Sequence, residues 1–172
     1  MKGATMDNLK RDLTPNPVQD VADFFLVNAH PHHPVTPNKL QKLCAYAQAF
    51  SPVFNGCRLF DNPVEESPDG PVIRELQGKY PSCGRARIPS PPGLDNLFVR
   101  ERFSPEQRFA LDVVNSFYGG HTASQLRDKS RRDFPGTWSK KASHNPIPDE
   151  EIRARFANHP ATAAMDRIVP AA

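Results

Sequence analysis

Apolar residues recur at spacings of three and four in six stretches of this chain, and each stretch reads as a helix. The clearest runs over 36–50. Thr36 is a good N-cap and Pro37 suits the first helical position, where a missing N–H costs nothing. Leu40, Leu43, Ala47 and Phe50 then share one face, Gln41, Cys44 and Gln48 form a neighbouring stripe, and Lys39, Lys42 and Tyr46 fall further round. Pro52 predicts an end soon after Phe50. Before it, Asn16-Pro17 repeats the cap-then-proline signal, and Val18, Val21, Ala22 and Phe25 predict a helix to about Ala29.

Further along, Asp69-Gly70 makes a tight turn and Pro71 opens a predicted third helix, with Val72, Ile73, Leu76 and Tyr80 on its apolar side and Gly78 at its end. Ser104-Pro-Glu-Gln107 and Thr122-Ala-Ser-Gln125 carry the residues of two capping boxes. The first precedes the wide apolar face of Phe109, Ala110, Val113, Val114 and Phe117. The second opens a helix that turns Ala123 and Leu126 inward. Pro148 starts a short helix with Asp149, Glu150 and Glu151 at its positive end and Ile152 and Phe156 as anchors. The expected fold is mostly α, one domain of about six helices with at most a small β-hairpin. Its predicted organisation is a flexible arm over 1–15, the helical domain over 16–158 with a proline-rich loop at 81–94, and a tail over 159–172 with little to pack.

Composition changes this picture little. With 172 residues, 38% hydrophobic and 24% charged, the chain has room for a real core. Prolines, 19 in number, are about twice as common as usual and mostly punctuate helix starts and loops. Three cysteines without a CxxC pair suit a reducing cytoplasm, and neither a leader pattern nor a membrane-length apolar run is present. Net charge is +3, concentrated over 127–141, where six basic residues face Asp128 and Asp133.

Candidate chemistry is sparse. No G-x-S-x-G, P-loop, HExxH or GxGxxG occurs, so neither an enzyme nor a cofactor is expected. His30, His32 and His33 lie in a proline-stiffened connection without the separated ligands a zinc site recruits. The helices joined at Gly119-Gly120 resemble a helix–turn–helix with Arg127, Lys129, Arg131 and Arg132 on its second member. A charge of +3 is low for that role, and the two aspartates interrupt the basic face.

Taken in order, the segments resemble the Panacea antitoxin domain, also called SocA-like or GepA-like, of bacteria, phages and mobile elements. The resemblance rests on Val21-Ala-Asp-Phe-Phe-Leu26, Thr36-Pro-Asn-Lys-Leu-Gln-Lys-Leu43, Tyr46-Ala-Gln-Ala49, Leu59-Phe-Asp61, Val64-Glu65 and Asp69-Gly-Pro-Val72. It continues through Phe103-Ser-Pro-Glu106, Asp112-Val-Val114, Phe117-Tyr-Gly119, Thr122-Ala-Ser-Gln-Leu126 and Ile147-Pro-Asp-Glu-Glu-Ile152. The chain departs from the family pattern at Phe50, Ser51 and Ser67. It departs again at Ser130-Arg-Arg-Asp-Phe-Pro135, where Gly136 and Thr137 precede Trp138.

The resemblance implies a non-enzymatic protein that neutralises a cognate toxin by binding it, in some members also handing the toxin to a protease. The alternative is a DNA-associated regulator of a phage or mobile element. Candidate partner-surface residues are Lys39, Lys42, Arg127, Arg131, Arg132 and Trp138. Gln41 and Gln48 are expected to satisfy backbone groups of the turn at Asp69, Gly70 and Pro71. The rings of Tyr46 and Tyr118 suit either a core edge or an interface, and the core edge is expected of Tyr118.

Overall fold

Every residue from 39 to 51 is buried, so the best-capped helix of the sequence is also the centre of the molecule. The computed structural model describes residues 15–80 and 85–166. Most of the expected N-terminal arm, Cys83 and the end of the tail lie outside the described residues. Among those described, the helices are α1 (Val18–Val27), α2 (Pro37–Asn55), α3 (Asn96–Arg100), α4 (Pro105–Tyr118), α5 (Ala123–Asp133), α6 (Asp149–Ala157) and α7 (Pro160–Asp166). Short 3-10 turns lie at Arg74–Leu76 and Lys140–Ala142. No strand forms among these residues; Glu65 makes single bridges to Val72 and Pro146. The all-helical class is as the periodicity predicts. Among the described residues no helix is long and apolar enough to cross a membrane.

α2 packs against α1, α4, α5 and α6, which explains why burial extends round its circumference. Its start follows the local signals: Thr36 Oγ1 accepts from the Lys39 amide at 3.3 Å. Its end does not. Pro52 lies inside the helix, which runs to Asn55 and closes on Gly56 at φ +70°. An interior proline costs about 3 kcal/mol, but the extra turn carries Phe54 onto Phe109, with ring centroids 5.6 Å apart. Around the middle of α2 the aromatic core is dense. Tyr46 stacks on Tyr118 at 4.1 Å, and Phe50 meets Phe156 edge-on at 4.9 Å.

Both capping boxes form in full. The Ser104 and Gln107 side chains exchange bonds with each other's amides, as do those of Thr122 and Gln125. Ile152 and Phe156 anchor α6 as expected. Three further expectations fail. Asn16 does not cap α1; its side chain instead donates to the Arg102 carbonyl at 2.8 Å. The tail packs, because Thr162 is buried and its hydroxyl donates to the Phe156 carbonyl at 2.6 Å.

The third concerns the predicted helix from Pro71, which is only the single turn Arg74–Leu76. Val72 exchanges both main-chain bonds with Glu65, at 2.7 and 2.9 Å. Ile73 gives its own N–H and C=O to Gln41, so the groups a helix would use are already taken. The preceding turn is tight. Gly70 has φ +105°, and a Cβ there would lie 3.1 Å from Ser130 Oγ and 3.5 Å from Lys42 Cε. Gly70→Ala therefore combines backbone strain with crowding, and should cost about 2 kcal/mol in chemical denaturation. An unchanged midpoint would show that the turn opens freely.

Candidate functional site

The polar residues of α2 sit inside the protein, and each takes hold of a neighbouring segment. Lys39 and Lys42 are 2% and 1% exposed, which overturns their expected place on a partner surface. Lys39 Nζ donates to the Gly119 carbonyl at 2.6 Å, closing the α4–α5 connection onto α2. Lys42 Nζ donates to the Pro71 carbonyl at 3.1 Å. Burial lowers both ammonium pKa values, that of Lys42 to about 8; Asp69 opposes this shift and Arg127 adds to it. A lysine reaches the interior when its carbonyl partners and its aliphatic stem are both accommodated there.

The glutamines behave as buried amides should, but not with the partners expected of both. Gln41 accepts from the Ile73 amide at 2.8 Å and donates to its carbonyl at 3.1 Å, so it holds the chain just after the Asp69–Pro71 turn. Gln48 does not reach that turn. Its Oε1 accepts from the amides of Leu59 and Phe60 at 2.9 and 3.2 Å, and its Nε2 donates to the Phe60 carbonyl at 2.6 Å. Seven residues along a helix is nearly two turns, about 10 Å of rise; the two amides therefore meet different loops.

Tyr46 is fully buried, and its hydroxyl donates to Asp133 Oδ2 at 2.7 Å. His159 Nε2 lies 3.1 Å from the same oxygen. Burial raises the Tyr46 pKa, and its bond to Asp133 adds to that. Burial alone would raise that of Asp133, but the His159 and Tyr46 hydrogen bonds outweigh it and hold the carboxyl below its usual value. This cluster ties α2, α5 and the α6–α7 junction together.

Trp138 is also interior, 8% exposed, with its indole N–H donating to the Arg131 carbonyl at 2.8 Å. That places it at the core edge and not on the surface expected of it. Its backbone is left-handed, at φ +57°. Glu66 receives the amides of Thr137 and Trp138 on one carboxylate oxygen, at 2.7 and 3.3 Å. Adjacent Glu65 turns the other way, to Arg74 Nε at 3.1 Å. The two carboxylates do not share a site.

Of the expected surface residues, Arg131 and Arg132 are exposed and Arg127 is half-buried, all on α5 with half-buried Lys129. Among the described residues, Arg127 pairs with Asp128 at 3.2 Å and no ion pair holds Arg131 or Arg132. α5 turns Leu126 and Ser130 inward, so its basic residues form the outer side of a helix fixed to α2. Leu97 and Phe98, 63% and 62% exposed on α3, were not singled out by periodicity; Asp95, which caps Leu97, was the only local signal of a helix there. Among the described residues no group of three or more His, Cys, Asp or Glu is placed to hold a metal.

No protein-family model, curated protein or solved structure matches this chain.

Proposed function

We propose that this protein acts by binding and covering a protein partner, as an antitoxin neutralises its toxin, and that the outer side of α5 makes the contact. The observation that carries the reading is the basic face of α5, where Arg131 and Arg132 stand exposed and unpaired among the described residues. Arginine on a rigid element suits such a contact: it brings charge and several donors in a fixed fork, and draws an acidic surface into register. The ordered motifs shared with the Panacea antitoxin domain supply the toxin as partner class. They also fall at the joints of the frame: Thr36 caps α2, Gln41 and Gln48 grip loops, and Gly70 makes the close turn.

Co-expression with the product of the neighbouring reading frame tests the proposal. Growth should be restored by the wild-type chain. An Arg131→Glu, Arg132→Glu double variant should melt within about 1 kcal/mol of wild type, as exposed substitutions do, and fail to restore growth. A toxic neighbour that stays toxic beside the folded protein removes the antitoxin reading. Binding to duplex DNA that falls steeply with salt would move the basic face to the regulator reading instead.

A further inference from the structure

We propose that the hollow between the N-terminal ends of α2 and α5 binds a phosphate-bearing small molecule, a phosphomonoester whose dianion is held by Lys42, Arg85 and Arg127. The proposal goes beyond the antitoxin reading and stands without it. The hollow has a volume of about 360 Å³, at the small end of the range for ligand sites and larger than a bare phosphate needs. Three cations line it against one carboxylate, Asp69. Their formal balance of +2 matches the charge of about −1.5 to −2 that a phosphomonoester carries at neutral pH.

Lys42 brings a buried positive charge to the wall of the hollow. Its side chain is buried, yet its ammonium has three N–H donors and meets one acceptor among the described residues, the Pro71 carbonyl. Among the described residues no carboxylate lies within 4.0 Å of it, and Asp69 acts on it only from farther off. A buried cation without a close counter-ion is costly. An anion in the hollow would supply that counter-ion.

The two helix ends add donors without being the basis of the argument. Thr36 and Thr122 occupy the third amide of each first turn, those of Lys39 and Gln125. Pro37 has no N–H. The amides of Asn38, Ala123 and Ser124 meet no acceptor among the described residues, and all three residues line the hollow. Free first-turn amides and the positive end of each dipole favour the same anion. Arg127 keeps part of its guanidinium engaged, with Nε on Asp128 and Nη2 on Ser124 Oγ at 3.4 Å. Asp69, in the turn closed by Gly70, is the only repulsive charge among the described residues that line the hollow.

Calorimetric titration of the intact protein at low ionic strength decides the matter, with glycerol 3-phosphate, inorganic phosphate and glycerol as probes. Glycerol 3-phosphate should bind saturably with one site per chain, and glycerol should not bind. Lys42→Met and Arg127→Gln should each weaken binding by about tenfold or more, the loss expected when one partner of a close charge contact is removed. Asp69→Asn should tighten it by about threefold, since it deletes a like charge near the ligand. Lys140→Gln, exposed on a distant turn, should leave it unchanged. Affinity should also decline as pH rises past about 8, where Lys42, faced by Asp69, Arg127 and Arg85, gives up its proton. Absence of saturable binding overturns the proposal, as does a weaker Asp69→Asn complex or indifference to Arg127→Gln. Binding of inorganic phosphate alone overturns the ester. Should Lys42→Met not fold, the opposite signs expected of Asp69→Asn and Arg127→Gln still decide, because general damage weakens both. Rescue in co-expression is measured separately, so either reading can fail alone.

Discussion

Gln48→Leu will destabilise this protein by about 2 kcal/mol, because it takes the acceptor from two buried amides. The side chain makes three bonds to main-chain groups of Leu59 and Phe60. Leucine fits the space but leaves the two amides buried without partners, while the Phe60 carbonyl keeps its bond from Arg58 Nε at 3.2 Å. Each such group costs about 1–3 kcal/mol, against about 2 kcal/mol returned by burying a leucine. For a chain of this size the melting temperature should fall by roughly 4–8 °C. A variant melting within about a degree of wild type would mean that the Leu59–Phe60 loop finds other partners. Gln41→Leu orphans only the Ile73 amide, since the Ile73 carbonyl also accepts from the Leu76 amide, and should cost correspondingly less.

The second large effect is a pH dependence. Relative to Lys42→Met, the wild-type protein should gain about 3 kcal/mol of stability between about pH 8 and 10.5. Burial lowers the Lys42 pKa from 10.5 to about 8, with Asp69 opposing and Arg127 assisting. Between those values the folded chain has released the proton and the unfolded chain still holds it. The unfolded state binds more protons there, so stability rises with pH through that window. Below it both states are charged, and above it both are neutral, so the difference is flat on either side. Subtracting the variant cancels the other titrating groups, Lys39 included. Urea unfolding from pH 7 to 11 measures it, and a flat difference across the whole range would show that Lys42 is solvated like a surface lysine.

The elements legible in the sequence were those whose signals are local. Thr36, the Ser104–Gln107 pair and the Thr122–Gln125 pair each act over three residues, and all three caps form. What was hidden depends on partners far along the chain. Nothing near Pro71 announces that Val72 and Ile73 will be taken by Glu65 and Gln41, so the helix that periodicity predicts there is lost to competing bonds. Pro52 reads as a stop because local chemistry says so, yet tertiary packing of Phe54 carries α2 past it.

The candidate site was less legible still, and for a related reason. Periodicity assigns a lysine to the solvent side unless something else is known. Lys39 and Lys42 instead face carbonyls delivered by Gly119 and Pro71. Trp138 stands in a polar, basic stretch and reads as exposed. Its burial follows from Glu66, 72 residues earlier, holding its amide. Arg131 and Arg132 fell where they were expected, at the exposed end of a helix whose inward side, Leu126, was plain from spacing.

The grips made by α2 also order the assembly of the chain. On a ribosome this helix emerges before the Leu59, Ile73, Gly119 and Asp133 segments that it holds. Gln48 meets its first partner 11 residues later and Gln41 meets Ile73 after 32. Lys39 waits 80 residues for Gly119, and Tyr46 waits 87 for Asp133. The short-span contacts close small loops at little entropic cost, and the long-span ones follow onto a surface already shaped. α2 is thus a template laid down early, on which the growing chain is captured in the order in which it is made.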